Sequence, residues 1–260
     1  MKICTCLKEV ASRDTRYQID ATGTWINEEN ISWEINECDE YALEEALKLQ
    51  EKNGGEVAIL TIGPGRAEKS MRKGLAMGAQ RGIHVVDDQR KITSPHAAAA
   101  VMAAVLREEE FDLILAGTQS DDLSYAQTGV ILAELLGLPH ATIVMEIEAD
   151  STVGKVKALR EMESGWFQWL ELPIPAVLTV QAGISQVRYP SLKGIMQAKK
   201  KEIRRLTVEE LGLDWSSIPS LEITRLSFPE TASKAQMLEG ETSEVVATLL
   251  EKLRKEARVL

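Results

Sequence analysis

From Met1 to about residue 147, short apolar runs alternate with longer stretches in which apolar residues recur every three or four positions. The runs Met1 to Leu7, Val57 to Ile62, Gly82 to Val86 and Leu113 to Ala116 predict strands. The stretches Glu40 to Lys52, Arg66 to Met77, Pro95 to Glu109 and Ala126 to Leu136 predict helices. Strict alternation of the two types predicts an α/β fold with a doubly wound, mostly parallel sheet and right-handed crossovers. Within the first crossover, Tyr17 to Ile26 alternates around Thr22-Gly23 and predicts a small hairpin. Beyond residue 150 the helices drop out: Val153 to Arg160, Trp166 to Leu172 and Ala176 to Val180 read as added antiparallel or edge strands, punctuated by Gly165, Pro173 and Pro175. After Asp214 the periodicity is lost through a Ser/Pro-rich stretch to about residue 234, and a helix is predicted from Ser243 to Arg254. Leu226, Phe228 and Met237 are apolar anchors that a solvated linker rarely carries. Residues 1–214 therefore read as the α/β domain and 215–260 as an extended C-terminal arm lying on another surface.

Composition narrows the classes. At 260 residues and 44% hydrophobic content the chain can bury a sizeable core, and its formal charge of −10 argues against nucleic acid as partner. The dense cationic run, Lys199 to Arg205, is too short to change that. Cys4, Cys6 and Cys38 are too few and too far from the histidines to suggest a metal site; they read as buried thiols. No apolar run reaches the length of a membrane span, and the amino terminus lacks an export signal. A cytoplasmic chain is expected, or a mitochondrial matrix chain whose leader has been removed.

In an open parallel sheet, ligands bind beyond the carboxyl ends of the strands, where loops lead into helix amino termini. Three such loops stand out: Cys6-Leu7-Lys8, Thr61-Ile62-Gly63-Pro64-Gly65, and the long loop from Gly117 to Gly129. The third admits two readings. Backbone N–H groups with the Gln127 amide and Thr128 hydroxyl suit a phosphate without a lysine; equally, Ser124 or Asp122 could cap a helix there. No Walker lysine is present, Asp121 and Asp122 have no accompanying nucleophile, and His84, His96 and His140 are scattered. The chain does not read as an enzyme and shows no catalytic residues.

One segment does not fit an α/β interior. In Arg188-Tyr189-Pro190-Ser191-Leu192-Lys193-Gly194-Ile195-Met196, Pro190 biases Tyr189 away from helix, Ser191 can cap a short helix beginning at Leu192, and Gly194 weakens any such helix. Either Leu192, Ile195 and Met196 pack on the core, or they are displayed to a partner.

With Arg160-Glu161-Met162-Glu163-Ser164-Gly165 upstream, this region resembles the hallmark region of the electron transfer flavoprotein beta subunit. The resemblance extends, in order, through Leu7 to Val10, Asn36 to Ala46, Gly74 to Gly82, Gln127-Thr128-Gly129, Leu172 to Thr179, and Arg188 to Lys200. Glu34 to Asp39 and Thr118 to Asp121 are most similar to prokaryotic members that serve dehydrogenases of small amines or acyl-CoA substrates. The resemblance implies a Rossmann-like, adenine-nucleotide-binding fold and an obligate heterodimer. The alpha subunit would hold the redox-active FAD, and this chain would bury one structural AMP. By motif correspondence, AMP would be lined by Cys6, Asn36, Glu37, Cys38, Asp39, Ile62, and the loop Gly117, Thr118, Gln119, Ser120, Asp121, Asp122, Leu123, Ser124, Tyr125, Ala126, Gln127 and Thr128. A recognition loop would dock primary dehydrogenases through Leu192, flanked by Arg188, Tyr189, Pro190, Ser191, Ile195 and Met196. Electrons would pass on to a membrane quinone oxidoreductase or another acceptor. Members that bifurcate electrons hold a second flavin where others hold AMP; Thr128 resembles the AMP branch. A universal-stress-type nucleotide-binding protein shares the sheet but would lack the recognition loop and the arm. The chain departs from the family pattern at Val180 to Gly183 and at Gln197, which bears on which dehydrogenase is the partner.

Overall fold

The computed structural model describes residues 1–88, 92, 94–150, 152–229 and 235–260. In chain order the elements are β1 (Lys2–Cys6), β2 (Glu9–Ala11), β3 (Trp33–Ile35), α1 (Glu37–Asn53), β4 (Glu56–Gly63), α2 (Glu68–Met77), β5 (Arg81–Val86), α3 (Pro95–Leu106), β6 (Leu113–Gly117) and α4 (Thr128–Leu136). They continue with β7 (His140–Asp150), β8 (Lys155–Glu161), β9 (Phe167–Pro173), β10 (Ala176–Val180), α5 (Leu192–Ala198), β11 (Ile203–Thr207) and α6 (Thr242–Lys252). They fall into two compact units, Met1–Gln18 with Asn27–Glu222, and Ile19–Ile26 with Ile223–Leu260.

In the first unit, among the described residues, nine strands form one sheet in the order β11-β5-β4-β1-β6-β10-β7-β8-β9, and β2 pairs with β3 separately. Pairing is parallel from β11 to β7 and antiparallel from β7 to β9. Side chains alternate across the pleat. Ile3 and Ile59 join a core with Leu43 and Leu47 of α1 and Met71 and Leu75 of α2, whereas Cys4 and Leu60 join another with Val101 of α3 and Leu132 of α4. The α/β reading, with helices on both faces, is therefore what the chain adopts.

Two departures have clear causes. Ala176–Val180, expected at an edge or in antiparallel pairing, lies between β6 and β7, parallel to both, with every residue buried. An unbroken apolar run is the pattern of a central parallel strand, and the helix-poor sequence around it concealed that. Ile203–Thr207, read only as part of a cationic run, is an edge strand. Arg204 pairs with Glu108 and Glu109, and Arg205 with Glu68, and such charges guard an edge against pairing with another chain. Residues 215–222 belong to this unit: Trp215 packs against the second core and the Pro219 carbonyl accepts the Ser94 hydroxyl at 2.9 Å.

The smaller unit contains the predicted turn as one antiparallel bridge, Ile19 to Ile26, with the Asp20 carboxylate accepting from the Thr22 amide at 2.9 Å. Leu226 N–H donates to the Gly23 carbonyl at 2.8 Å. The end of the Ser/Pro-rich stretch, 230–234, lies outside the described residues. Helix α6 begins one residue before its predicted start and buries no residue.

Candidate functional site

The chain runs outward from β1 to β4 and β5, then returns on the other side of β1 as β6. This reversal opens a crevice at the carboxyl ends of β1 and β6, the place where doubly wound sheets bind ligands. Residues 6–8, 36–39 and 117–128 converge there, and they are cross-linked by side chains rather than by sheet pairing.

Asn36 stands at the N-cap of α1 yet makes no capping hydrogen bond. Its amide instead donates to the Gln119 carbonyl at 2.9 Å, and its oxygen accepts from the Asp121 amide at 2.9 Å. The stabilisation that a cap normally gives its helix is diverted to holding the loop. Asp39, one turn on, is buried; it accepts from the Lys8 backbone N–H and the Gly117 N–H, both at 2.8 Å. Burial lifts its carboxyl to about 7, and the two N–H groups offset that only in part. A methyl group at Gly117 would lie 2.4 Å from the Asp39 carboxylate, so only glycine lets α1 approach the end of β6 this closely. Lys8 closes the other side: its ammonium meets Asp122 at 2.7 Å and the Ser120 hydroxyl at 3.3 Å. Burial, the largest single influence, pushes the Asp122 carboxyl up, but the Lys8 charge and hydrogen bond together with the Ser120 hydroxyl and the Leu123 N–H outweigh it, and the carboxyl sits below its ordinary value. Asp121 accepts from the Glu37 amide at 3.3 Å and faces Arg13 at 3.4 Å.

Helix α4 begins at Thr128 and carries no side-chain cap. Ser124 and Asp122 thus do not cap it: Asp122 is engaged by Lys8, and Ser124 bonds the Ser120 carbonyl. Ser124 and Ala126 adopt positive φ, at 51° and 54°, a conformation that L residues enter at a cost of about 1 kcal/mol or more. The Thr118 hydroxyl is buried with no protein partner. Together these leave an uncapped helix amino terminus and an orphaned hydroxyl on one pinned loop, features that suit an anion and a polar ligand.

The other predicted lining residues behave differently. The Cys6 side chain packs in the core on the α3–α4 side, so its backbone is what borders the crevice. Cys38 is buried, and burial pushes its thiol up. Ile62 is partly buried against the same core as Cys6. Tyr125 is exposed. His84 is buried with Nε2 3.1 Å from the Gly63 carbonyl, a tie for the second glycine loop. No cluster of metal-ligating side chains occurs among the described residues, and no described helix is long and apolar enough to cross a membrane.

The segment after β10 is displayed. Tyr189 is 95% exposed, Leu192 83% and Met196 72%, so the alternative of Leu192 and Met196 packed on the core does not hold. Ser191 caps α5, accepting from the Gly194 N–H at 3.0 Å, as its position predicts. Arg188 does not project with its neighbours. It turns inward to Glu44 and Glu51 of α1, contacts that no local sequence signal marks.

The fold and site together define a doubly wound α/β protein with a pinned crevice at its strand ends and a displayed apolar segment held on α1 and α2. A model of the "Electron transfer flavoprotein domain" family matches residues 23–211. The chain is 34% identical to the electron transfer flavoprotein subunit beta of Methylophilus methylotrophus, over 96% of this chain and 97% of that one. It is likewise 34% identical to the Bacillus subtilis beta subunit, over 95% and 96%, and 34% identical to the mitochondrial beta subunit of Arabidopsis thaliana over the full length of both. The chain belongs to the electron transfer flavoprotein beta subunit family. These relatives are named as subunits of an electron carrier, not as enzymes with a substrate of their own.

Proposed function

We propose that this chain is the AMP-binding, partner-docking subunit of a heterodimeric electron transfer flavoprotein. An alpha subunit holds the FAD, which supplies the redox chemistry, and electrons pass from primary dehydrogenases to a quinone oxidoreductase or another acceptor. The observation that carries the reading is the Gly117–Thr128 loop, fixed by Asn36, Asp39 and Lys8 and ending in an uncapped helix. The α4 amino terminus and the Thr128 hydroxyl hold the phosphate. The Thr118 hydroxyl and the backbone near Cys6 and Ile62 meet the nucleoside. A monophosphate suits the site because the charge of one helix end is about half a unit, and the nearby cations Lys8 and Arg13 are already paired with Asp122 and Asp121, leaving them little charge for a longer phosphate chain.

Leu192, with Tyr189, Ile195 and Met196 around it, forms the docking surface, and residues 223–260 embrace the alpha subunit. A single apolar anchor contributes roughly 1.5–3 kcal/mol, enough for transient docking by a carrier that must leave after each transfer. The test is purification under mild conditions. The chain is expected in a 1:1 complex with a yellow, flavin-bearing partner, and a chain that runs alone and colourless refutes the reading.

A further inference from the structure

The displayed segment 189–198 is exposed in its side chains but anchored at both ends of its backbone. Upstream, Arg188 makes a two-pronged contact with Glu44, Nε and Nη2 each 2.9 Å from a carboxylate oxygen, while its backbone N–H donates to the same carboxylate at 3.1 Å. Glu44 is buried, its side chain only 4% exposed. Downstream, the Lys201 ammonium donates to the carbonyls of Leu75 at 2.9 Å and Ala79 at 2.6 Å, at the carboxyl end of α2, where a cation is favoured. Arg72 of α2 reaches back to the carbonyls of Ala198 and Lys201 at 2.6 and 2.7 Å. Between the anchors, a methyl group at Gly194 would lie 2.3 Å from the Ala76 carbonyl, so the backbone of α5 rests directly on α2.

A seven-residue helix does not persist in water unaided, and the exposed side chains of this one add little packing to hold it. The segment's order therefore depends on its anchors: the two clamps at its ends, with the close seat of Gly194 on α2 and the buried Ala198 between them. We propose that Arg188 and Lys201 are positioning residues, which fix the ends of the 189–198 segment to α1 and α2 so that Leu192 meets a docking partner in one preset geometry. This rests on the docking reading above. Ordering the segment within the subunit removes that entropic cost from the encounter, so the clamps act on affinity and not on the electron-transfer step.

The experiment uses the full heterodimer and a purified flavin dehydrogenase that the wild-type complex oxidises with saturation kinetics, reduced by its own substrate. Arg188→Ala and Lys201→Met are expected to raise the KM for the heterodimer about tenfold while kcat stays within about twofold, and Arg188→Lys is expected to fall between. Because the clamps act through Leu192, adding either change to Leu192→Ala should raise KM little further. Amide hydrogen exchange across 192–198 should quicken in both single variants. Lys201→Met keeps the test open if Arg188→Ala strands Glu44 and fails to fold. Unchanged KM and exchange in Lys201→Met, or effects that add fully to Leu192→Ala, overturn the clamp alone. A Leu192→Ala complex with wild-type KM overturns the docking reading, and the clamp's purpose with it.

Discussion

Asp39→Asn offers a quantitative test of how the crevice is built. The carboxyl is buried, its pKa lifted from 3.8 to about 7, and it serves two backbone N–H groups at 2.8 Å. A raised folded-state value means that stability from this group is fully present below 3.8 and lost as pH rises through about 7. The full loss is about 4 kcal/mol, of which roughly 3 kcal/mol falls between pH 5 and pH 8. Asparagine keeps the shape and removes the titration. Its oxygen can accept from Gly117, but its amide then faces the Lys8 N–H, leaving one buried donor unsatisfied at a cost of about 1–3 kcal/mol. At pH 5 the variant should therefore be the less stable chain. At pH 8, where the native residue carries its buried charge, the variant should equal or surpass it. Thermal melts of both heterodimers at the two pH values measure this, and the difference in melting temperature should swing by roughly 6–12 °C. Parallel pH profiles for the two proteins would refute the assignment of Asp39 as a buried, titrating strut.

Leu192→Ala should leave the melting temperature almost unchanged, since the side chain is 83% exposed, while weakening dehydrogenase binding roughly thirtyfold; binding titrations and melts on one preparation check both. An early melt with normal binding would place the leucine in the fold instead. Deleting 223–260 should weaken the heterodimer yet leave the sheet folded, because its last strand ends at Thr207. Size-exclusion chromatography with the alpha subunit and far-UV circular dichroism report the two halves of that statement, and an undiminished heterodimer contradicts it.

The parallel half of the fold was legible because central strands write themselves as unbroken apolar runs and their helices as 3.6-residue periodicity. Ile3, Ile59 and Leu113 announce their strands without help from distant residues. Ala176–Val180 was equally visible as a strand, but its place in the sheet depends on a long-range return that no local pattern encodes. β11 was hidden because an edge strand needs only one buried face, and Arg204 and Arg205 made it look like a solvated run. The crevice was located by the rule of strand ends, while its construction was not: the pairing of Lys8 with Asp122 spans 114 residues, and that of Arg188 with Glu44 spans 144. Asn36 illustrates the limit, since its type and position spell an N-cap and its side chain is spent on the loop across the crevice.

The proposed function requires a single mononucleotide at the carboxyl ends of β1 and β6. Denaturing extraction of the native heterodimer, with chromatographic and mass-spectrometric quantification of released nucleotides, measures it directly. One AMP and one FAD per beta chain are expected, with the AMP lost when the Asn36 clamp is removed by Asn36→Ala. Two flavins and no AMP would contradict it.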